Sequence, residues 1–151
     1  AYAEIEKEGL KTQLVIAGEG DFSSYQDHFD RLRTARLLNR KIDDSEVSLL
    51  FSGENTITVL PYKDATQSGI INIAASHRSL VIATASGGLP EQLGYGEKGI
   101  LIPPNDVLAL RNAMFTAARK PMVYKEKIEN AYCAAMNLTW KVLAGKILGE
   151  I

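Results

Sequence analysis

The sequence predicts an α/β fold, a doubly wound parallel sheet flanked by helices. Three observations carry that prediction. Short β-rich runs recur, each followed by a loop containing Gly or Asp and then an amphipathic stretch, the pattern of successive βα units. Two of the runs, LVIA before Gly18 and LVIAT before Ala85, are apolar almost throughout, as strands covered by helices on both faces must be. The chain has 151 residues, 46% of them hydrophobic, with 17 basic against 18 acidic side chains. At that length a domain buries roughly 70% of its unfolded surface, enough for a core without disulfides or a structural metal.

The predicted strands are Gln13–Ala17, Arg36–Asn39, Thr56–Leu60, Leu80–Thr84 and Gly99–Ile102. A helix ending near Gly9 precedes the first. After it, Phe22, Tyr25, Phe29 and Leu32 fall at three- and four-residue steps and share one helical face, with Asp21 or Ser23 as the cap. An apolar helix is predicted from Gly69 to His77. Following the fifth run, Pro103 and Pro104 stop the strand and Asn105 or Asp106 opens a helix whose stripe is Val107, Leu110, Met114 and Ala117. A last helix is expected from Asn137 or Thr139, with Trp140, Leu143, Ala144, Ile147 and Ile151 on one stripe. No repeat or long linker interrupts the pattern, so residues 1–151 read as a single domain.

A net charge of −1 supplies no broad field for holding nucleic acid, which is excluded as a partner. No apolar run approaches the ~18 residues of a spanning helix, the start has no signal-peptide layout, and the single Cys133 fits a reducing compartment. The expected location is cytoplasmic. Cys133, set among alanines, reads as a small core residue, and His28 and His77 as solvated or capping, with no metal-ligand spacing around either. The run Lys125-Glu126-Lys127 reads as a wet helix face.

Parallel sheets bind ligands at the carboxyl ends of their strands, which directs attention to three loops. In Gly18-Glu19-Gly20-Asp21, glycines let backbone amides approach a phosphate, or form only a tight turn. A dinucleotide fingerprint would want Gly or Ala at Ser23, although Asp43 stands at the distance of a ribose-binding acid. The segment from Pro61 to Gly69 is long enough to have a use. Its Gln67, Ser68 and Gly69 offer unpaired amides and side-chain donors at a helix N-terminus, a seat for a pyrophosphate, and Asp64 can accept from sugar hydroxyls. The alternative is that Ser68 merely caps and Asp64 merely fixes a turn. In Ser86-Gly87-Gly88-Leu89-Pro90-Glu91 the glycines permit a close approach that a side chain would block, and Glu91 reads foremost as a cap.

Taken in order, LVIAGEGD, LPYKDATQSGIINIA, LVIATASGGLPEQL, GILIPPND and NLTW resemble the carboxyl-terminal, donor-binding half of retaining glycosyltransferases of the two-domain GT-B fold, family 4. The likeness runs from Gln13 to Ile151. It implies a Rossmann-like domain against which a nucleotide diphosphate-sugar lies, with no metal or other cofactor. It also implies a separate amino-terminal domain holding a glycan or lipid-linked acceptor across a cleft. On that resemblance Asp64, Ala65, Thr66, Gln67, Ser68, Gly69 and Ile70 hold donor sugar and diphosphate. Gly18 and Gly20 line the opposite wall, and Gly87 and Gly88 shape the floor.

Two departures qualify the resemblance. Family members commonly carry two glutamates separated by seven residues, and the aligned positions here are Thr66 and Ala74, so neither acid's role transfers. Asp64 is the nearest catalytic candidate for the first. The form DATQSG before a nonacidic helix resembles a bacterial polysaccharide-assembly branch of the family. The family's first strand, central in the doubly wound order and bearing basic phosphate ligands, is also missing ahead of the helix near Gly9. Either the sequence is a fragment of a two-domain enzyme, membrane-peripheral at most, or another segment fills the gap. Two other readings remain open: a noncatalytic sugar-nucleotide binding or assembly module, and a dinucleotide-binding oxidoreductase domain.

Overall fold

The computed structural model describes residues 1–53 and 55–137. Helix α1 (Tyr2–Lys7) leads into β1 (Leu14–Ala17), then α2 (Gln26–Phe29), β2 (Ala35–Leu38), α3 (Asp44–Phe51) and β3 (Ile57–Leu60). There follow α4 (Gly69–Ser76), β4 (Leu80–Thr84), α5 (Leu89–Gln92), β5 (Ile100–Ile102), α6 (Val107–Arg119) and α7 (Lys125–Asn137). All five expected strands form. The second starts one residue early, where Ala35 pairs with Leu14, and ends one residue early at Leu38, the next residue Asn39 instead accepting from the Gly20 amide through Oδ1 at 3.1 Å. Of the expected last stripe, Trp140 to Ile151 lie outside the described residues.

Every strand pair is parallel, but the sheet forms two ladders rather than one. Leu14 to Ala17 run beside Ala35 to Leu38; Ile57 to Leu60 run beside Leu80 to Ala83, and Ile82 to Thr84 beside Ile100 to Ile102. In the doubly wound order 3-2-1-4-5-6 these supply the pairs 3-2 and 4-5-6.

Strand β4 is buried along its whole length, and its alternation sorts the core into two faces. Val81 and Ala83 pack with Leu60, Ile71, Ala74, Leu89 and Leu93 from β3, α4 and the α5 region. Leu80 and Ile82 meet Ile102, Ala117 and the inner residues of α6 and α7, including Leu110, Met114 and Ile128. Helices therefore cover both faces, as the apolar run required. Val107, expected on the inner stripe, is exposed instead: it opens α6 one turn before the helix reaches the sheet. Asp106 caps that helix, its Oδ1 accepting from Ala109 N–H at 2.8 Å.

The β1–β2 ladder is thinly covered, with Val15 40% exposed and no residue of either strand fully buried. Ile16, Leu37, Phe22, Tyr25, Phe29 and Leu32 line an apolar hollow of about 240 Å³; the helix expected to carry Phe22, Tyr25, Phe29 and Leu32 on one face is only the single turn α2, and Tyr25 is 64% exposed. Helix α1 braces this ladder against the other. The Tyr2 hydroxyl bonds Thr12 O at 3.0 Å and Thr34 Oγ1 at 2.8 Å, and Glu6 accepts from the Thr34 N–H at 2.6 Å. The Thr34 hydroxyl's donation to Glu6 Oε1 at 2.5 Å, followed by the amides of Thr34 and Arg33, holds the Glu6 carboxyl below its ordinary pKa. On the other side Arg111 of α6 reaches Glu8, the residue that ends α1, at 3.2 Å.

Candidate functional site

Strand β3 ends at Leu60 and releases the chain into Pro61–Ser68 before α4 begins. This loop lies along the continuation of β4, which holds it by its carbonyls. The Thr84 hydroxyl donates to Tyr62 O at 2.6 Å, the Ser86 hydroxyl to Lys63 O at 3.0 Å and the Gly88 amide to Ala65 O at 3.2 Å. Thr84 and Ser86 are buried, so these are bonds made out of water, and losing one would strand a carbonyl.

The paired glycines serve that contact. A Cβ on Gly87 would stand 1.9 Å from the Ala65 carbonyl oxygen, and one on Gly88 would stand 2.2 Å from that of Thr66. Gly87 also has φ +52°, where L side chains are strained. What the glycines approach is the backbone of the loop, not open space, so their part in this structure is to seat Ala65 and Thr66. Glu91, expected to cap, is exposed in the first turn of α5 and makes no hydrogen bond among the described residues. Its neighbour Gln92 does the holding: its Oε1 accepts from the Ser68 N–H at 2.8 Å. That bond corrects one expectation, since the Ser68 amide is taken.

The opposite side of the loop is open. Asp64, Thr66, Gln67 and Gly69 are exposed, and the Asp64 carboxylate makes no hydrogen bond or ion pair among the described residues, so it does not fix the turn. At the start of α4 the amides of Gly69 and Ile70 carry no hydrogen bond among the described residues, as the first turn of a helix leaves its donors. Around Gly69 nothing lies within 4 Å of where a Cβ would stand. The positive end of α4 thus meets solvent beside a carboxylate and two polar side chains, a setting that suits an anion carrying hydroxyls. Five residues after Gly69 the character reverses. Ala74 has no exposure at all and packs in the core, so that position presents nothing to a ligand.

Loop 18–22 is less available than its glycines suggested. The Gly18 amide donates to Leu38 O at 3.2 Å, and the Gly20 amide is the one bound by Asn39. Gly18, at φ +141°, turns the chain off β1 with its Cα face unobstructed. Asp43 is the N-cap of α3, its N–H donating to Glu46 Oε2 at 3.3 Å, which removes the motive for a ribose-binding acid there.

The remaining titratable candidates have structural places. His77 ends α4 with Nδ1 2.9 Å from Ile73 O, His28 is exposed, and Lys127 of the supposed wet face reaches the Gly96 carbonyl. Cys133 is exposed on α7 rather than in the core, a correction traceable to the alanines on both sides of it, which gave no direction to the stripe. Among the described residues no helix is long and apolar enough to cross a membrane.

A family model for glycosyl transferases group 1 matches residues 1–120. The chain belongs to the group 1 glycosyltransferases. Solved structures agree on the fold of this glycosyltransferase chain, a Rossmann-like half of a GT-B architecture. Sucrose-phosphate synthase from Thermosynechococcus elongatus superposes with a TM-score of 0.79 at 21% identity, over 97% of this chain and 39% of that one. A glycosyltransferase from Rickettsia africae gives 0.72 at 18% identity, over 97% and 41%. HepE from Anabaena, solved in complex with UDP-glucose, gives 0.74 at 14% identity, over 99% and 45%. The chain spans about two fifths of the length of the first of these structures. No curated protein matches it.

Proposed function

We propose that this glycosyltransferase chain is the donor-binding half of a retaining enzyme. That enzyme transfers a sugar from a nucleotide diphosphate-sugar to a glycan or lipid-linked acceptor, in bacterial polysaccharide assembly. One observation carries the reading. The acceptor-less amides of Gly69 and Ile70 open beside the unpaired Asp64 on a loop whose other edge is tied down. Membership of the family and the likeness to a structure solved with UDP-glucose support the ligand class.

In this reading the diphosphate sits on the amides at the start of α4, its charge met by the helix end and backbone donors without a metal. Thr66, Gln67 and the Ser68 hydroxyl complete the seat around it, with Ala65 behind. Asp64 accepts from hydroxyls of the donor sugar and takes the place of the first family acid. Gly18 and Gly20 line the far wall with faces that carry no side chain. The acceptor belongs to an amino-terminal domain across the cleft, and the enzyme works in the cytoplasm, peripheral to the membrane where the acceptor is lipid-linked.

A noncatalytic sugar-nucleotide module is the second reading, favoured by the burial of Ala74, which leaves the ribose without the family's second acid. The deciding experiment is an NMR titration with UDP, GDP, ADP and NAD in parallel, on the chain and on Gly69→Val. Selective binding of one sugar-carrier diphosphate is expected, and the valine should abolish it while the domain stays folded. Selective NAD binding, or unchanged affinity in the variant, would sink the assignment. Turnover of donor by the complete enzyme separates catalyst from module.

A further inference from the structure

We infer that Gln92 is a positioning residue for the diphosphate seat: it holds the Ser68 peptide so that the Gly69 and Ile70 amides face a bound donor. The inference rests on the donor-binding reading above. Gln92 is half-buried at the end of α5, and its carboxamide closes on both polar groups of one residue's main chain. Oε1 accepts from Ser68 N–H at 2.8 Å, and Nε2 donates to Ser68 O at 3.4 Å. Because an N–H only donates and a carbonyl only accepts, the partners dictate which way round the amide lies.

The clamp acts where α4 starts. The same Ser68 carbonyl accepts from Ile71 N–H at 3.3 Å, the first bond of the helix. Ser68 is extended at φ −136° and ψ 119° and only 6% exposed, yet its hydroxyl does not cap the helix. The usual local device for orienting a first turn is therefore unused, and a side chain 24 residues along the sequence replaces it. A hydroxyl left out of capping, on a residue only 6% exposed, stands beside two amides without acceptors among the described residues and on the donor-binding reading meets the same oxyanion. Thr84, Ser86 and Gly88 tie the loop upstream of this point; Gln92 reaches the seat itself.

The test compares the full chain with Gln92→Leu and Gln92→Glu. UDP, GDP and ADP are titrated, hydrogen exchange at the Ser68 amide is followed without nucleotide, and melting is recorded. Gln92→Leu should weaken the best-bound diphosphate about tenfold and expose the Ser68 amide, with little change in Tm. Gln92→Glu keeps an acceptor for that N–H and should restore its protection. Wild-type affinity in Gln92→Leu overturns the inference. So does an affinity loss that follows a lowered Tm without selective exposure of Ser68, or a Glu variant that leaves the amide unprotected. If the unmodified chain binds none of the three diphosphates, the donor-binding reading fails and takes this inference with it, an outcome separate from the others.

Discussion

Gly69 and Gly87 border the same loop and answer to different constraints. At Gly87 the constraint is the protein's own backbone, the Ala65 carbonyl 1.9 Å from a virtual Cβ, combined with a positive φ. Gly87→Ala should therefore cost about 1–3 kcal/mol in folding, measured by denaturant unfolding, as the loop is pushed off its floor. At Gly69 the surroundings are open, so Gly69→Ala should leave stability unchanged within about 0.5–1 kcal/mol and register only in ligand binding. Equal losses at both sites would mean that Gly69 is structural. A charge at the residue scale behaves separately. Arg40, bonded to Glu46 at 2.6 Å, holds that carboxyl down at about 2 from its ordinary 4.5. A depressed folded value stabilises above the unfolded pKa and is lost as pH falls. The pair's contribution should therefore be complete above pH 4.5 and fade through about 2. Carboxyl-carbon NMR titration of Glu46 reads the midpoint directly, and a value near 4.5 would mean that the pair does not form in solution.

Among the elements, β4 and the β1–β2 ladder mark the two extremes of cover. Every residue of β4 is buried between helices, whereas Val15 of β1 is 40% exposed. Local opening follows burial, so the amides of Leu80 to Thr84 should exchange at the rate of global unfolding and those of β1 and β2 much faster. Uniform protection across all five strands would count against this division. The strands themselves were legible in the sequence, since an almost wholly apolar run between turn residues has few other places to go. Helix faces were read less well where composition gave no direction. Val107 lay on the predicted stripe but ahead of the sheet, and Cys133 sat among alanines that mark no side. Gln92 was missed because the neighbouring Glu91, after a proline, carried the stronger local signal, and nothing near Gln92 in sequence names its partner.

At the scale of the molecule, the two parallel ladders are joined through α1, which is bonded to the start of β2 by Tyr2 and Glu6 and to α6 by Arg111. The loop Pro61–Ser68 lies on the three-stranded side, tied to β4 and α5. On the proposed function, one such half holds the donor and lacks the groups that place an acceptor in reacting geometry. The chain alone should therefore bind nucleotide and form no glycoside when supplied with UDP-glucose and oligosaccharide acceptors, assayed by chromatography. Transfer by this chain alone would show that both substrates are held here. The sequence by itself determined the alternation of strands and helices, the burial of β4 and the set of loops at the strand ends, because each follows from side chains close together in the chain. Only the tertiary structure decided which amides are free: those of Gly18, Gly20 and Ser68 are taken by Leu38, Asn39 and Gln92. It also decided that Gly87 and Gly88 touch backbone, because which group an amide or a glycine meets depends on partners about twenty residues away, which no local pattern records.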